Sequence, residues 1–364
     1  MARKLSSDKL LFIALVALSL FGCVMIYSAS AVSAAQTGGS PYRYLVKQIV
    51  ALAAGGLAAF AVYRADYRLF ARRWLGLAVY GACLLLCVAA LTRPPINSAR
   101  RWLTIGPVML QPSELLKIGL VLVLARLVTA KAAEPERALP AALLFTGLAA
   151  GVVVLEPDLG TAASYVVLCA VLLWLSGVRA RIFLIGVAAV IPAAVALIFS
   201  ASYRRARLLS FLNPDADPLG AGFQAIQSLI AVGAGGLSGN GLGGSRQKLF
   251  FLPYPHTDFI FAIVGEELGL IGAVGVIACF GVIAWRGLRA CKRAPEPFAA
   301  FLAAGATAMI VVQAAINMSV VLGLMPTKGI PLPFVSYGGS SLVASWIAGG
   351  LILNISQHEV EETR

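Results

Sequence analysis

Carboxylates stand where three apolar segments begin, and cations crowd the loops around them. Asp258 closes the run Leu252-Pro253-Tyr254-Pro255-His256-Thr257-Asp258, in which two prolines restrict the backbone and keep the carboxylate from swinging freely. Asp158 follows Glu156-Pro157 and precedes Leu159-Gly160-Thr161, while Glu114 and Lys117 follow Gln111-Pro112-Ser113 with the i, i+3 spacing of one helix face. Arg100, Arg101, Arg246, Lys248 and Lys328 lie in the adjoining loops. A carboxylate can accept a proton from an attacking hydroxyl, and cations beside it can hold a phosphate leaving group. The combination suits chemistry on an anionic lipid head group better than glycoside hydrolysis, which needs paired carboxylates. Every one of these residues also has a plainer reading. Asp258 and Asp158 can be helix caps, Glu114 and Lys117 a structural ion pair, and the outer cations anchors for anionic lipid. Glu266 and Glu267, eight and nine residues past Asp258, read as groups that pack and bond within a helix, with a proton path as the alternative.

The elements that must position these groups are membrane spans. Of the 364 residues 60% are apolar and 12% charged, and the mean hydropathy is +0.88, which a water-soluble domain could not carry without large exposed apolar patches. Apolar runs at roughly 9 to 30, 43 to 63, 74 to 91, 112 to 130, 138 to 155, 160 to 176, 181 to 200, 258 to 285, 298 to 323 and 337 to 357 each approach the roughly 20 residues that cross a bilayer core as a helix. The expected fold is therefore an all-α integral membrane protein of ten transmembrane helices forming one domain over residues 1 to 364, with a long outer loop, 201 to 257, between the seventh and eighth. The first run ends in Ala29-Ser30-Ala31, but its apolar stretch is too long for a cleaved signal peptide.

The net charge is +13. It is weighted toward segments that lie inside if the amino terminus is cytoplasmic, from Arg3 and Lys4 through Arg64, Arg68, Arg72 and Arg73 to Arg286, Arg289, Lys292, Arg293 and Arg364. Both termini are then cytoplasmic. The excess reads as topology and anionic ligand, not nucleic acid. Within the outer loop Phe223, Ile226 and Ile230 recur at helical spacing, which predicts a short amphipathic helix at the membrane surface. Gly239-Asn240-Gly241-Leu242-Gly243-Gly244 has the spacing of a dinucleotide fingerprint but lacks its strand–helix context, so these glycines read as turns and close backbone approaches. The six cysteines lie mostly in apolar runs, and there are two histidines. Neither a disulfide framework nor a metal site is expected.

The motifs Asn97-Ser98-Ala99-Arg100-Arg101-Trp102, Gln111-Pro112-Ser113-Glu114, Glu156-Pro157-Asp158-Leu159-Gly160-Thr161, His256-Thr257-Asp258-Phe259-Ile260-Phe261, Gly265-Glu266-Glu267-Leu268-Gly269 and Ser336-Tyr337-Gly338-Gly339-Ser340-Ser341 occur in the order seen in the SEDS (shape, elongation, division and sporulation) family. The chain resembles that family over nearly its whole length. Phe223-Gln224-Ala225-Ile226-Gln227-Ser228, Ser245-Arg246-Gln247-Lys248-Leu249 and Met325-Pro326-Thr327-Lys328-Gly329 make it more similar to the division branch than to the elongation branch. The resemblance implies a peptidoglycan glycosyltransferase that polymerises lipid II on the outer face of the cytoplasmic membrane. It also implies work beside a class B penicillin-binding protein and other division proteins. It places the required acid at Asp258 and substrate-binding groups at Arg101, Glu114, Lys117 and Asp158, and the loop cations Arg246, Lys248 and Lys328 join them. No cofactor is obligatory, although Mg2+ or Mn2+ can assist. In one departure, many relatives carry Glu where Tyr254 stands.

Three functions stay open at this point: the glycosyltransferase, a lipid II flippase and a non-catalytic division scaffold. A flippase needs charged groups along a path through both leaflets, whereas the candidates here gather at the outer ends of helices.

Overall fold

The computed structural model describes residues 7–358 apart from 37, 97, 98, 107, 221 and 250. Arg3, Lys4 and Arg364 of the charge bias, and Asn97 and Ser98 of the first motif, therefore lie outside the described residues. Helix dominates, because in hydrocarbon each backbone N–H and C=O must be satisfied within its own segment. In chain order the helices are α1 (Lys9–Gln36), α2 (Arg43–Arg64), α3 (Tyr67–Phe70), α4 (Arg73–Leu91), α5 (Pro112–Ala130), α6 (Leu139–Leu155), α7 (Leu159–Leu175) and α8 (Ala180–Phe199). They continue with α9 (Ser202–Leu212), α10 (Phe223–Ala234), α11 (Ile260–Lys292), α12 (Pro297–Val321) and α13 (Gly339–Ser356).

Among the described residues eight helices are long and apolar enough to cross a membrane: α1, α2, α4, α6 with its leading turn, α8, α11, α12 and α13. Two of the ten expected spans fall short of that standard. α7 has 17 residues, and α5 carries Glu114, Lys117 and Arg126 within its 19. The observed architecture is thus a multi-pass, all-α bundle with about eight long apolar helices.

α13 packs along α2, α4 against α5, and α11 against α12 and α1. Small residues let these backbones approach, as is usual where no water drives helices together. A Cβ on Gly119 of α5 would lie 2.8 Å from the Tyr80 backbone of α4, and one on Gly350 of α13 would lie 2.8 Å from the Ala59 carbonyl of α2. α5, α12 and α13 form the interior, with most of their side chains buried. α8 is the opposite case: its apolar window has no buried residue, and its main contacts are with α7 and α9.

Two local features were not anticipated. A hairpin of β1 (Leu103–Ile105) and β2 (Val108–Leu110) pairs Leu103 with Leu110 and turns at Gly106, whose φ is 60°. It fixes Arg101 just before its first strand and the start of α5 just after its second. α11 is also broken: Gly269 has φ 64° and ψ −162°. The glycine-rich stretch repairs the break. Asn240 and Gly241 donate backbone N–H bonds to the Glu266 and Glu267 carbonyls at 3.0 and 2.9 Å, and Leu270 and Ile271 donate to Gly236 and Leu237 at 2.9 and 3.2 Å. Irregular backbone at this depth is tolerated because protein groups replace the lost helical bonds. The amphipathic helix forms as α10, but its Ser228 and Ala231 are buried and Ser228 Oγ bonds the Val321 carbonyl at 2.8 Å. It is docked on the bundle.

Candidate active site

Four irregular segments converge at one end of the bundle: the segment through Arg101, the turn between α6 and α7, and the clasped segments before α11 and α13. The clasp is built from buried polar bonds. Asn317 Nδ2 of α12 donates to the carbonyls of Asp258 at 2.8 Å and Ile330 at 2.7 Å. Ser336 Oγ donates to the Thr257 carbonyl at 2.6 Å, and Tyr337 N–H to the His256 carbonyl at 2.9 Å. The His256 ring packs on Tyr44 and Tyr337, with centroids 4.4 and 5.7 Å away, and burial lowers its pKa to about 4. It is a neutral packing group. Ordered on both sides, the Asp258 backbone has little freedom to move its carboxylate.

Phe259, not Asp258, occupies the N-cap of α11, and it makes no capping bond. The cap reading of Asp258 therefore does not describe this structure. Burial pushes the Asp258 carboxyl up to about 6, Arg101 and Arg207 pulling it down and Asp158 adding to the rise. An acid in this range is ionised at neutral pH yet remains a better base than an exposed aspartate. Gly329 brings the acid and its cation together. A Cβ there would lie 3.0 Å from Asp258 Oδ2 and 3.9 Å from Arg101 Nη2.

Asp158 does cap a helix, and it does more. Its Oδ1 accepts the Thr161 N–H at 3.0 Å, while Oδ2 accepts the Thr161 hydroxyl at 3.0 Å and Arg101 Nη1 at 2.9 Å. Arg101 is about a quarter exposed in this pair, with its guanidinium 6.0 Å from the centroid of the Trp102 ring. Lys328 is half-buried and makes no salt bridge among the described residues; burial lowers its pKa while the Asp158 charge raises it. The structure thus brings Asp258, Arg101, Asp158 and Lys328 into one electrostatic cluster.

The remaining candidates are placed differently. Lys117, expected to meet substrate phosphate, is 2% exposed and bonds Glu114 Oε1 at 2.8 Å and Gln313 Oε1 at 2.7 Å. Gln313 passes the network on, donating to the Pro331 carbonyl at 2.9 Å and to Ser341 Oγ at 3.1 Å. Glu114 and Lys117 therefore brace the segment that carries Lys328 and Gly329. Lys248 is buried as well, bonding Glu267 at 2.7 Å and the Gly243 carbonyl at 2.8 Å. Arg246 has an exposed side chain, and its N–H bonds Glu266 Oε1 at 2.8 Å. Both belong to the loop that Glu266 and Glu267 hold against α11, about two helical turns from Asp258. These two glutamates are bonding groups, as expected. Arg100 is exposed. No group of three or more His, Cys, Asp or Glu among the described residues is arranged to hold a metal ion.

Sequence reasoning did not single out Gln313 and Asn317. Their i, i+4 spacing in an otherwise apolar span was the available signal, because polar groups at that depth need buried partners.

The chain matches the family described as cell cycle protein, FtsW/RodA/SpoVE, over residues 8–361. It is 41% identical over 363 residues to stage V sporulation protein E of Bacillus subtilis, covering 98% of each chain. It is 40% identical over 356 residues to the probable peptidoglycan glycosyltransferase FtsW of Trichlorobacter lovleyi, covering 96% of this chain and 93% of that one. Among solved structures it resembles a chain of a peptidoglycan synthase complex that coordinates polymerization and crosslinking, with a TM-score of 0.79, 34% identity and coverage of 97% and 98%. It also resembles the rod shape determining protein RodA of Thermus thermophilus, with a TM-score of 0.70, 30% identity and coverage of 98% and 99%. By the extent of these matches, the chain belongs to the SEDS family of FtsW/RodA-like proteins.

Proposed function

We propose that this chain is a peptidoglycan glycosyltransferase that polymerises lipid II during septal wall synthesis, with Asp258 as general base. The observation that carries the reading is an acid, Asp258, held at Gly329 beside an Arg101 that Asp158 already bonds, in a chain of this family. The 4-hydroxyl of an acceptor sugar attacks the anomeric carbon of a second lipid-linked sugar. Asp258 takes the hydroxyl proton as the new bond forms. The lipid pyrophosphate leaves without needing a second carboxylate to protonate it, because Arg101 and Lys328 stabilise its charge. Arg bonds two phosphate oxygens at once, while Lys acts as a point charge. Asp158 aims Arg101, and Glu114 and Lys117 act from below by bracing the Lys328–Pro331 segment. Lys248 secures the outer loop from within, and the exposed Arg246 side chain is the cation of that loop that a long anionic substrate can reach. Mg2+ or Mn2+ is a possible companion of the pyrophosphate and not a resident cofactor.

In this reading α5 and α7 join the eight long apolar helices as spans, giving ten. Both termini are cytoplasmic, residues 201 to 257 face outward, and the site opens on the outer face of the cytoplasmic membrane. A class B penicillin-binding protein cross-links the product, within a complex of division proteins. The test is to reconstitute the purified chain with such a partner, its transpeptidase blocked, and supply lipid II. Long glycan is expected. Movement of lipid II between leaflets without glycan would favour the flippase, which the clustering of charged groups at one end of the bundle argues against.

A further inference from the structure

Glu156 is a carboxyl that the proposed reaction does not use. It ends α6 in the tight connection to α7, is 0% exposed, and its carboxyl meets no nitrogen or oxygen donor, the Cys87 thiol being the one donor beside it. The titratable groups facing it come from each neighbouring element: the Cys87 thiol of α4, Tyr165 of α7, Asp158 two residues on, and Arg101. Arg101 is the one cation in this set, and its short contact goes to Asp158. The Tyr165 hydroxyl is also committed, donating to the Ser113 carbonyl at 2.7 Å, and Tyr165 in turn lies in the field of Glu114. An ionised carboxylate whose one neighbouring donor is a weak thiol is too costly to persist in such a place, so the group keeps its proton. Burial and the Asp158 charge raise its pKa to about 8 against the opposing pull of the Cys87 thiol and Arg101. A hydrophobic residue of the same length would fill the space without an unsatisfied acid, so packing alone does not account for a glutamic acid here.

We infer that Glu156 is a positioning residue of the glycosyl-transfer site, a neutral acid behind the Asp158–Arg101 pair whose ionisation draws Arg101 away from the pyrophosphate. The inference rests on the proposed function. While Glu156 is protonated, Arg101 answers to Asp158, which it bonds, and to the Asp258 charge on the reaction side, so the guanidinium stays toward the leaving group. Once Glu156 loses its proton, two anions two residues apart share one cation. Arg101 is pulled inward and the affinity for the lipid pyrophosphate falls. The site therefore closes on the alkaline side independently of Asp258, which is already ionised there.

The test uses the full chain with its cross-linking partner in proteoliposomes, comparing wild type with Glu156→Gln and Glu156→Met below and above about pH 8. At neutral pH both variants should polymerise lipid II within about twofold of wild type, because each copies the neutral acid. One unit above the transition, wild type should fall about tenfold relative to either variant, mostly through KM. Infrared difference spectra should show a protonated carboxyl band at neutral pH in wild type that is missing from Glu156→Gln. Parallel pH profiles for the three proteins would overturn the inference, and so would absence of the band or loss of neutral-pH activity in the folded variants. Failure of both variants to fold would count against it too, because a weak thiol contact is the one bond the acid has to lose. If wild type made no glycan, the proposed function would fail while the infrared band still reported on Glu156.

Discussion

Replacing Lys117 by Met should be among the most damaging single changes in the bundle interior, and the reason can be put in numbers. Lys117 and Glu114 have side chains 2% and 3% exposed, with Nζ and Oε1 2.8 Å apart, and Glu114 Oε2 has no partner even in the intact protein. The substitution keeps the volume and removes the charge, so it leaves the Glu114 carboxyl buried without its counterion. Breaking one half of a buried pair in this way costs about 3 to 5 kcal/mol, which is a factor of about 10² to 10⁴ in the folded-to-unfolded ratio. Removing both charges with Glu114→Gln and Lys117→Met should return most of that loss, because a buried pair replaced as a unit is close to neutral in stability. Thermal unfolding in mild detergent, followed by tryptophan fluorescence, measures both variants against wild type. A single substitution costing less than about 1 kcal/mol, or a double variant no more stable than the single, would refute the idea that this pair is a buried brace.

Two further outcomes follow from the same geometry. Gly329→Ala places a methyl group 3.0 Å from Asp258 Oδ2, so it should displace the carboxylate and lower polymerisation at least tenfold, roughly the effect of misplacing a reacting group, while the melting temperature barely changes; equal activity would mean the segment simply shifts aside. Asp217→Cys, at an exposed position between α9 and α10, should be labelled by a membrane-impermeant thiol reagent added outside, and labelling from the cytoplasmic side alone would invert the topology.

Much of the fold was readable in the sequence because a bilayer allows few solutions. Apolar runs of spanning length have to be helices, and their order along the chain follows directly. The site residues Asp258, Arg101 and Asp158 were legible as types in restrictive local contexts. Pairings between distant residues were not. Lys117 meets Gln313 across 196 positions, and Lys248 meets Glu267 and Ser28. A lysine in a motif looks the same whether its ammonium faces a phosphate or a buried glutamate. The break at Gly269 was hidden for a similar reason. A glycine within an apolar helix is commonplace, and only the arrival of Gly236 to Gly241 beside it makes the irregular backbone stable. Glu156 reads as one more polar residue of a motif until its complete burial is seen.

The central claim is that Asp258 removes the acceptor proton, and the most direct measurement compares lipid II polymerisation by wild type and Asp258→Asn across the acid range, with the partner present. Wild-type activity should rise as pH increases through about 6, because a base works only once it has lost its own proton. Asp258→Asn, similar in size but without basicity, should lose at least about a hundredfold on the plateau above that transition while keeping its melting temperature and its hold on the partner. An Asn variant that makes glycan at the wild-type rate would contradict the account, leaving Asp258 as a structural residue beside Arg101.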